Sequence, residues 1–405
     1  MNRRLIAVLL ILLVAVVWRE AAVRTLRTDF DEPVYLTAGA RYAAALRDGD
    51  PARLANDNFH YEHPGLMKLV YAAALLPFGE TAIEAPPLPE LTELADLPPP
   101  LPAMVSAARH AAMLFSLLTV LLLAVISPAA GALLAVHTYA IKYTTQIYLE
   151  ALPMLMATVC VLAYVKAQLG KRKLRDWGIG RFVQSPNLSI SQSPLLWLAL
   201  SAVALGLTAA GKYIYCVAGL AVAVDWVWRL TEKESLRDRE IGRLTQSPEL
   251  PISHSLLLLL AWGALALLTF YAANPNLWPD PLGRLGASLA FHVAYPSSAI
   301  VANVGYPWWQ PFVWLLRPMP ALWHPGLFPI ALDWLTTLLA VAGSARMWRR
   351  WGGRGRVVVL WWLIGLVILL LWPTKWPQYS LIITVPLCLC AAEALRIGRR
   401  MKDEG

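Results

Sequence analysis

Apolar and polar positions along this chain are sorted into blocks. Apolar runs near 4–19, 104–126, 131–147, 151–168, 195–211, 213–230, 255–273, 326–345, 357–372 and 380–396 alternate with polar segments. Roughly 20 helical residues cross the hydrocarbon core of a bilayer. The pattern therefore predicts an all-α, polytopic membrane protein of about 10 transmembrane helices. A further run, 65–79, is shorter, follows His63-Pro64 and carries Lys68, which predicts a helix lying in the membrane interface.

Basic residues orient the spans. With the N-terminus inside, the loops 169–194, 231–254 and 346–356 and the C-terminal tail are cytoplasmic, and these are the strongly basic segments, as basic loops resist translocation. The segment 20–103, the turns at Glu150 and Lys212, the loop 274–325 and the turn 373–379 are then extracytoplasmic. The N-terminal run lacks a small-residue cleavage site and continues into Trp18-Arg19-Glu20, so it reads as an uncleaved span. A single membrane domain over 1–405 in the inner or plasma membrane is expected.

Composition agrees. The chain is 58% hydrophobic and 15% charged, with a mean hydropathy of +0.52 and 18 tryptophans, whereas soluble domains are about a quarter charged. The net charge of +9 does not point to nucleic acid. It is carried by clusters beside apolar runs, such as Lys171-Arg172-Lys173, Arg349-Arg350 and Arg399-Arg400. The four cysteines all fall inside apolar runs, so no disulfide framework follows.

Within the first outer loop, Asp31 is placed to cap a helix with Pro33 in its first turn, running to about Arg47 before Asp48-Gly49-Asp50-Pro51. The stretch 80–100 is acidic and proline-rich and reads as an irregular arm. Two cytoplasmic loops share the frame IGRxxQSPxLxISxS, beginning at Ile179 and Ile241 and matching at 10 of 15 positions. It reads as inserted low-complexity sequence without a chemical role.

Each candidate for chemistry has a bland alternative. Asp31 and Glu32 fit a helix start. His60 and His63, with Glu62 between them, are a weak metal pattern without a fourth ligand. Glu150 fits a charge at the water boundary, and Lys212 a snorkelling helix end. Convergence changes the weighing. Asp31, Glu32, His63, Arg109, Glu150, Lys212, Asn274 and Lys375 come from separate segments and all reach the outer face. Ionisable groups near membrane depth are costly and tend to be functional.

These stretches resemble the bacterial branch of the GT-C glycosyltransferases, the group of protein O-mannosyltransferases and aminoarabinose transferases. The resembling pieces are Asp31-Glu32-Pro33, His63-Pro64-Gly65, Ala108-Arg109, Leu149-Glu150, Gly211-Lys212-Tyr213, Asn274-Pro275-Asn276 and Lys375-Trp376-Pro377-Gln378-Tyr379, in order over nearly the whole chain. The resemblance implies a polyprenyl-phosphate sugar donor, a lipid, glycan or protein hydroxyl acceptor and an inverting displacement. It makes Asp31 the general base with Glu32 beside it, and puts Arg109 and Lys212 near the donor phosphate. Glu150 matches the second acidic position, and His60, His63, Asn274, Lys375 and Tyr379 join the substrate-binding set. The chain departs from relatives acting on lipid A, which carry Lys-Pro-Pro where His63-Pro64-Gly65 stands. A glutamate, Glu150, also replaces the commoner aspartate. Asp31, Glu150 and His60 support a divalent metal ion or its absence equally. The competing readings are a transporter or flippase of lipid-linked sugars, for which Asp333 is the clear mid-span acid, and a polymerase or ligase using a polyprenyl-diphosphate donor.

Overall fold

The computed structural model describes residues 3–168, 193–240 and 252–396. Among these there are helices and turns but no strand. The helices are α1 (Arg3–Thr25), α2 (Glu32–Arg47), α3 (Pro51–Asn56), α4 (Leu66–Leu75), α5 (Thr81–Glu84), α6 (Leu101–Ile126), α7 (Pro128–Ala135), α8 (Thr138–Thr145) and α9 (Ala151–Ala167). There follow α10 (Pro194–Gly211), α11 (Val217–Glu240), α12 (Ile252–Ala272), α13 (Pro281–Ala294), α14 (Ala299–Val304), α15 (Gln310–Leu316), α16 (Asp333–Trp351), α17 (Gly353–Leu371) and α18 (Leu381–Leu395). The Lys171–Lys173 and Arg399-Arg400 clusters lie outside the described residues, as does the loop repeat apart from the last residues of each copy.

Eight described segments are long and apolar enough to cross a membrane, and seven coincide with predicted spans. The eighth, Pro281–Val304, was placed in an outer loop. It is broken at Tyr295-Pro296, and most of it is exposed. The predicted span 151–168 is the 17-residue α9. The predicted span 326–345 overlaps α16, which is not among the eight, and Asp333 is the first residue of that helix rather than in its middle.

The predicted span 131–147 is two short helices with a break at Val136-His137. Buried backbone groups need partners at such a break, and distant side chains supply them. Arg19, fully buried in α1, donates to the carbonyls of Leu134 and Ala135 and to Ser116. Asp333 accepts from the Thr138 N–H and hydroxyl. Helix α1 thus runs past its predicted end at residue 19.

Successive spans run up and down. At one end Arg4 at the start of α1 donates to Ile126 at the end of α6, Arg356 at the start of α17 meets Asp225 and Glu232 on α11, and Arg350 meets Glu393 at the ends of α16 and α18. At the opposite end Arg109 near the start of α6 reaches the end of α1, and Lys212 after α10 reaches Glu150 before α9. Close packing depends on small residues: a Cβ on Gly343 of α16 would stand 1.9 Å from the Cys390 carbonyl oxygen of α18.

The segment between α1 and α6 sits at the second end. Helix α2 keeps its predicted bounds, with Pro33 in its first turn and Gly49 in a left-handed conformation after its end. The arm 80–100 is largely irregular and is pinned to the loop after α1 by hydrogen bonds of Thr28 with Pro89, Leu91 and Thr92.

Candidate active site

Glu32 and Arg109 form the frame. Both side chains are fully buried. The carboxylate accepts two bonds from the guanidinium, at 2.8 and 2.6 Å, and the backbone N–H groups of Asp29 and Ile147. The guanidinium also donates to the carbonyls of Val23, Leu26 and Arg27. An arginine has five N–H donors, and Arg109 uses all of them here. It clamps α1, α2 and α6 together, and all its donors are engaged within the chain. The predicted cap is also shifted: Glu32 accepts the N–H of Asp29, while Asp31 makes no side-chain cap bond.

Asp31 is half-buried, and its carboxylate has no hydrogen bond or ion pair among the described residues. It lies within electrostatic reach of Lys212, Asp29, Lys142 and His60. Burial pushes its pKa up to about 6, with Lys212 pulling down, Asp29 pushing up, and Lys142 and His60 pulling down. Tyr35, Tyr148 and Tyr379 face the same carboxylate.

Glu150 and Lys212 are a buried ion pair at 2.5 Å. Burial raises the Glu150 carboxyl and the Lys212 ammonium opposes it. Helix α10 ends at Gly211, and Lys212 follows in extended backbone, so its side chain turns back toward Glu150. The ammonium also stands 5.2 Å from the centre of the Tyr379 ring. Its one hydrogen bond leaves two N–H groups for a ligand.

His60 has a left-handed backbone (φ 51°), and its Nδ1 lies 2.6 Å from Glu62. His63 packs between the rings of Tyr35 at 5.9 Å and His292 at 5.4 Å. Burial, then Lys212, His292, Lys68 and His60, hold its pKa well below the usual value, so at neutral pH it offers an imidazole, not a cation. Among the described residues no three His, Cys, Asp or Glu side chains form a metal-holding group. The two acids nearest such a role differ in availability, because Glu150 is already held by Lys212.

Two groups predicted to bind substrate have structural roles, although the Asn274 amide nitrogen is buried without a partner. Asn274, fully buried, accepts the Gly65 N–H at 2.5 Å. A Cβ at residue 65 would stand 3.0 Å from that oxygen, which accounts for the glycine of His63-Pro64-Gly65. Lys375 donates to the carbonyls of Leu369, Leu370 and Trp372, closing the C-terminus of α17. All three of its N–H groups are engaged within the chain.

Sequence reasoning missed Asp29 and Lys142, a buried ion pair beside Asp31. The signal was available: a lysine in the middle of the apolar run 131–147. It also missed α13, whose Arg284, Ser288 and His292, spaced four apart, hydrogen-bond to backbone carbonyls of the first loop.

No protein-family model matches the chain, and no curated protein sequence matches it. Solved structures do. The archaeal oligosaccharyltransferase AglB from Archaeoglobus fulgidus, in complex with an inhibitory peptide and a dolichol-phosphate, aligns with a TM-score of 0.51 at 10% identity, covering 100% of this chain and 52% of that one. The Archaeoglobus fulgidus oligosaccharyltransferase in the apo form aligns at 0.49 and 13% identity, covering 98% and 50%. The chain thus spans about half the length of these enzymes. At this identity the likeness to the peptide-bound AglB shows the fold alone, a helical chain with several apolar segments long enough to cross a membrane.

Proposed function

We propose that this chain is a membrane glycosyltransferase that moves a sugar from a polyprenyl-phosphate donor to a hydroxyl acceptor, with Asp31 as general base. The acceptor hydroxyl gives its proton to the Asp31 carboxylate while its oxygen bonds to the anomeric carbon. The bond from that carbon to the phosphate oxygen breaks, and the phosphate leaves with the electron pair beside the Lys212 ammonium. A single displacement inverts the anomeric configuration. In this reading the first loop with its short helices and the active site face outward from the inner or plasma membrane. The whole chain is one membrane domain of the protein O-mannosyltransferase and aminoarabinose transferase type, and the acceptor is a lipid, glycan or protein.

One observation carries the proposal. Among the described residues, and leaving aside the exposed acids of the first loop, Asp29, Glu32, Glu62 and Glu150 at this end are each held by a cation or histidine, and the half-buried Asp31 is not. A base must keep its lone pairs free, and a pKa near the working pH suits proton transfer. Stabilisation of the leaving phosphate falls to Lys212. Glu32 and Arg109 hold the frame. Tyr379 and His60 lie within electrostatic reach of the Asp31 carboxylate, and His63 packs against the ring of Tyr35.

The likeness to an oligosaccharyltransferase favours one alternative, transfer of a glycan from a polyprenyl-diphosphate donor. Purified protein incubated with radiolabelled polyprenyl-phosphate mannose, polyprenyl-phosphate aminoarabinose or a polyprenyl-diphosphate glycan separates these readings. Consumption of a monophosphate donor with release of polyprenyl phosphate is expected. Turnover of the diphosphate donor alone, or movement of intact donor across vesicles, overturns it.

A further inference from the structure

Lys142 is almost completely buried in α8, a helix of the broken span. Its ammonium pairs with Asp29 and stands 4.4 Å from the ring centre of Tyr143, 5.2 Å from that of Trp323 and 5.7 Å from that of Tyr148. A buried ammonium is costly unless paired, and aromatic faces add to the pairing. Asp29 completes the link: its N–H goes to Glu32, and its other carboxylate oxygen accepts the Phe30 N–H. Phe30 meets Trp323 edge to face at 6.0 Å. One lysine therefore ties together the loop that carries Asp31, helix α8 and the outer loop that carries Trp323.

We propose that the Asp29–Lys142 pair is the positioning device of the general base. Lys142 anchors the loop 26–31, and its charge offsets that of Asp29, which would otherwise push the neighbouring Asp31 carboxylate toward its protonated form. The proposal rests on the reading of Asp31 as base. Other groups act on that carboxylate: Lys212 after α10, His60 in the first loop, Glu150 before α9, and the phenols of Tyr35, Tyr143, Tyr148, Tyr295 and Tyr379. Lys142 differs from Lys212 in being ringed by three aromatic side chains beside its carboxylate partner. It acts through Asp29 and through its field.

The test is the pH dependence of carbodiimide labelling of Asp31, which needs no donor and so is independent of the transfer assay. Dicyclohexylcarbodiimide adds to protonated carboxyls, and the tryptic peptide from Thr28 to Arg41 reports the site by mass spectrometry. The midpoint for the unmodified protein is expected at about pH 6. In Lys142→Met, with the protein monodisperse in detergent, it should move up by on the order of one unit. In the Asp29→Asn, Lys142→Met double variant it should return toward the original value, since both charges are gone. If Lys142→Met does not fold, Asp29→Asn alone decides, with a lowered midpoint expected. A midpoint unmoved in Lys142→Met, unmoved in Asp29→Asn, or unrestored in the double variant overturns the proposal. Loss of transfer in Asp31→Asn with normal labelling shifts would leave both readings standing; retained transfer would remove the base reading alone.

Discussion

Asp31 and Glu32 are adjacent in the chain and opposite in surroundings. Glu32 is sealed against Arg109 and accepts two backbone N–H groups, whereas the Asp31 carboxylate has no partner among the described residues. One residue of helix register separates a structural carboxylate from an available one. The difference divides the site into groups that hold the fold and groups free to act, and each half makes its own predictions.

Breaking the frame should cost stability before it costs chemistry. Removing one member of a buried ion pair leaves an uncompensated charge and costs about 3–5 kcal/mol. Glu32→Gln and Arg109→Met should therefore lower the thermal midpoint of the detergent-purified protein markedly. A melt within a degree of the parent for Arg109→Met would show that the clamp is not what closes this end.

Asp31 should behave in the opposite way. Its pKa is raised by burial to about 6, above the value of roughly 3.9 in an unfolded chain. The folded state then holds the proton more tightly, so the ionised group destabilises the fold above the unfolded pKa. At neutral pH Asp31→Asn should melt higher than the parent, and a lower melt would contradict the burial argument.

The same shift sets the pH profile. A base works only when ionised, so transfer should be full above about pH 7 and fall as pH drops through about 6. His63 adds no limb there, since its burial keeps it neutral across that range. A profile of the rate at low donor concentration checks this. A limb near pH 4 would mean that Asp31 is solvated like an ordinary carboxylate.

Two lysines predicted to bind substrate should separate. Lys212 retains two N–H groups, and Lys375 has none to spare. Lys212→Gln should raise the donor concentration needed for half-maximal rate by roughly tenfold or more, an ionic hydrogen bond contributing about 1.5–3 kcal/mol. Lys375→Gln should leave that concentration within about twofold and lower the melting temperature, since α17 loses its C-terminal partner. Equal effects of the two on donor use would contradict the sorting.

Most of the spans were legible because apolar run length is a property of short segments. Helix α2 was legible from Pro33 and from Asp48-Gly49. The break in 131–147 was not, since the groups that satisfy it, Arg19 and Asp333, are each more than 100 residues away in the chain. Topology brought Asp31, Glu150 and Lys212 to one face, and the structure gathers them. Which cations were spent was hidden, because the carbonyls that occupy Arg109 come from α1 and the turn after it. A span assignment places a residue at a depth and says nothing about how many of its donors remain.

The most direct test is single-turnover transfer from the radiolabelled donor that the parent protein consumes, with parent and Asp31→Asn compared at equal amounts of folded protein and at neutral pH. General-base assistance is worth about 10²–10⁴-fold, so the variant should bind donor and transfer at least 100-fold more slowly. A variant that transfers within a few-fold of the parent would contradict Asp31 as the base.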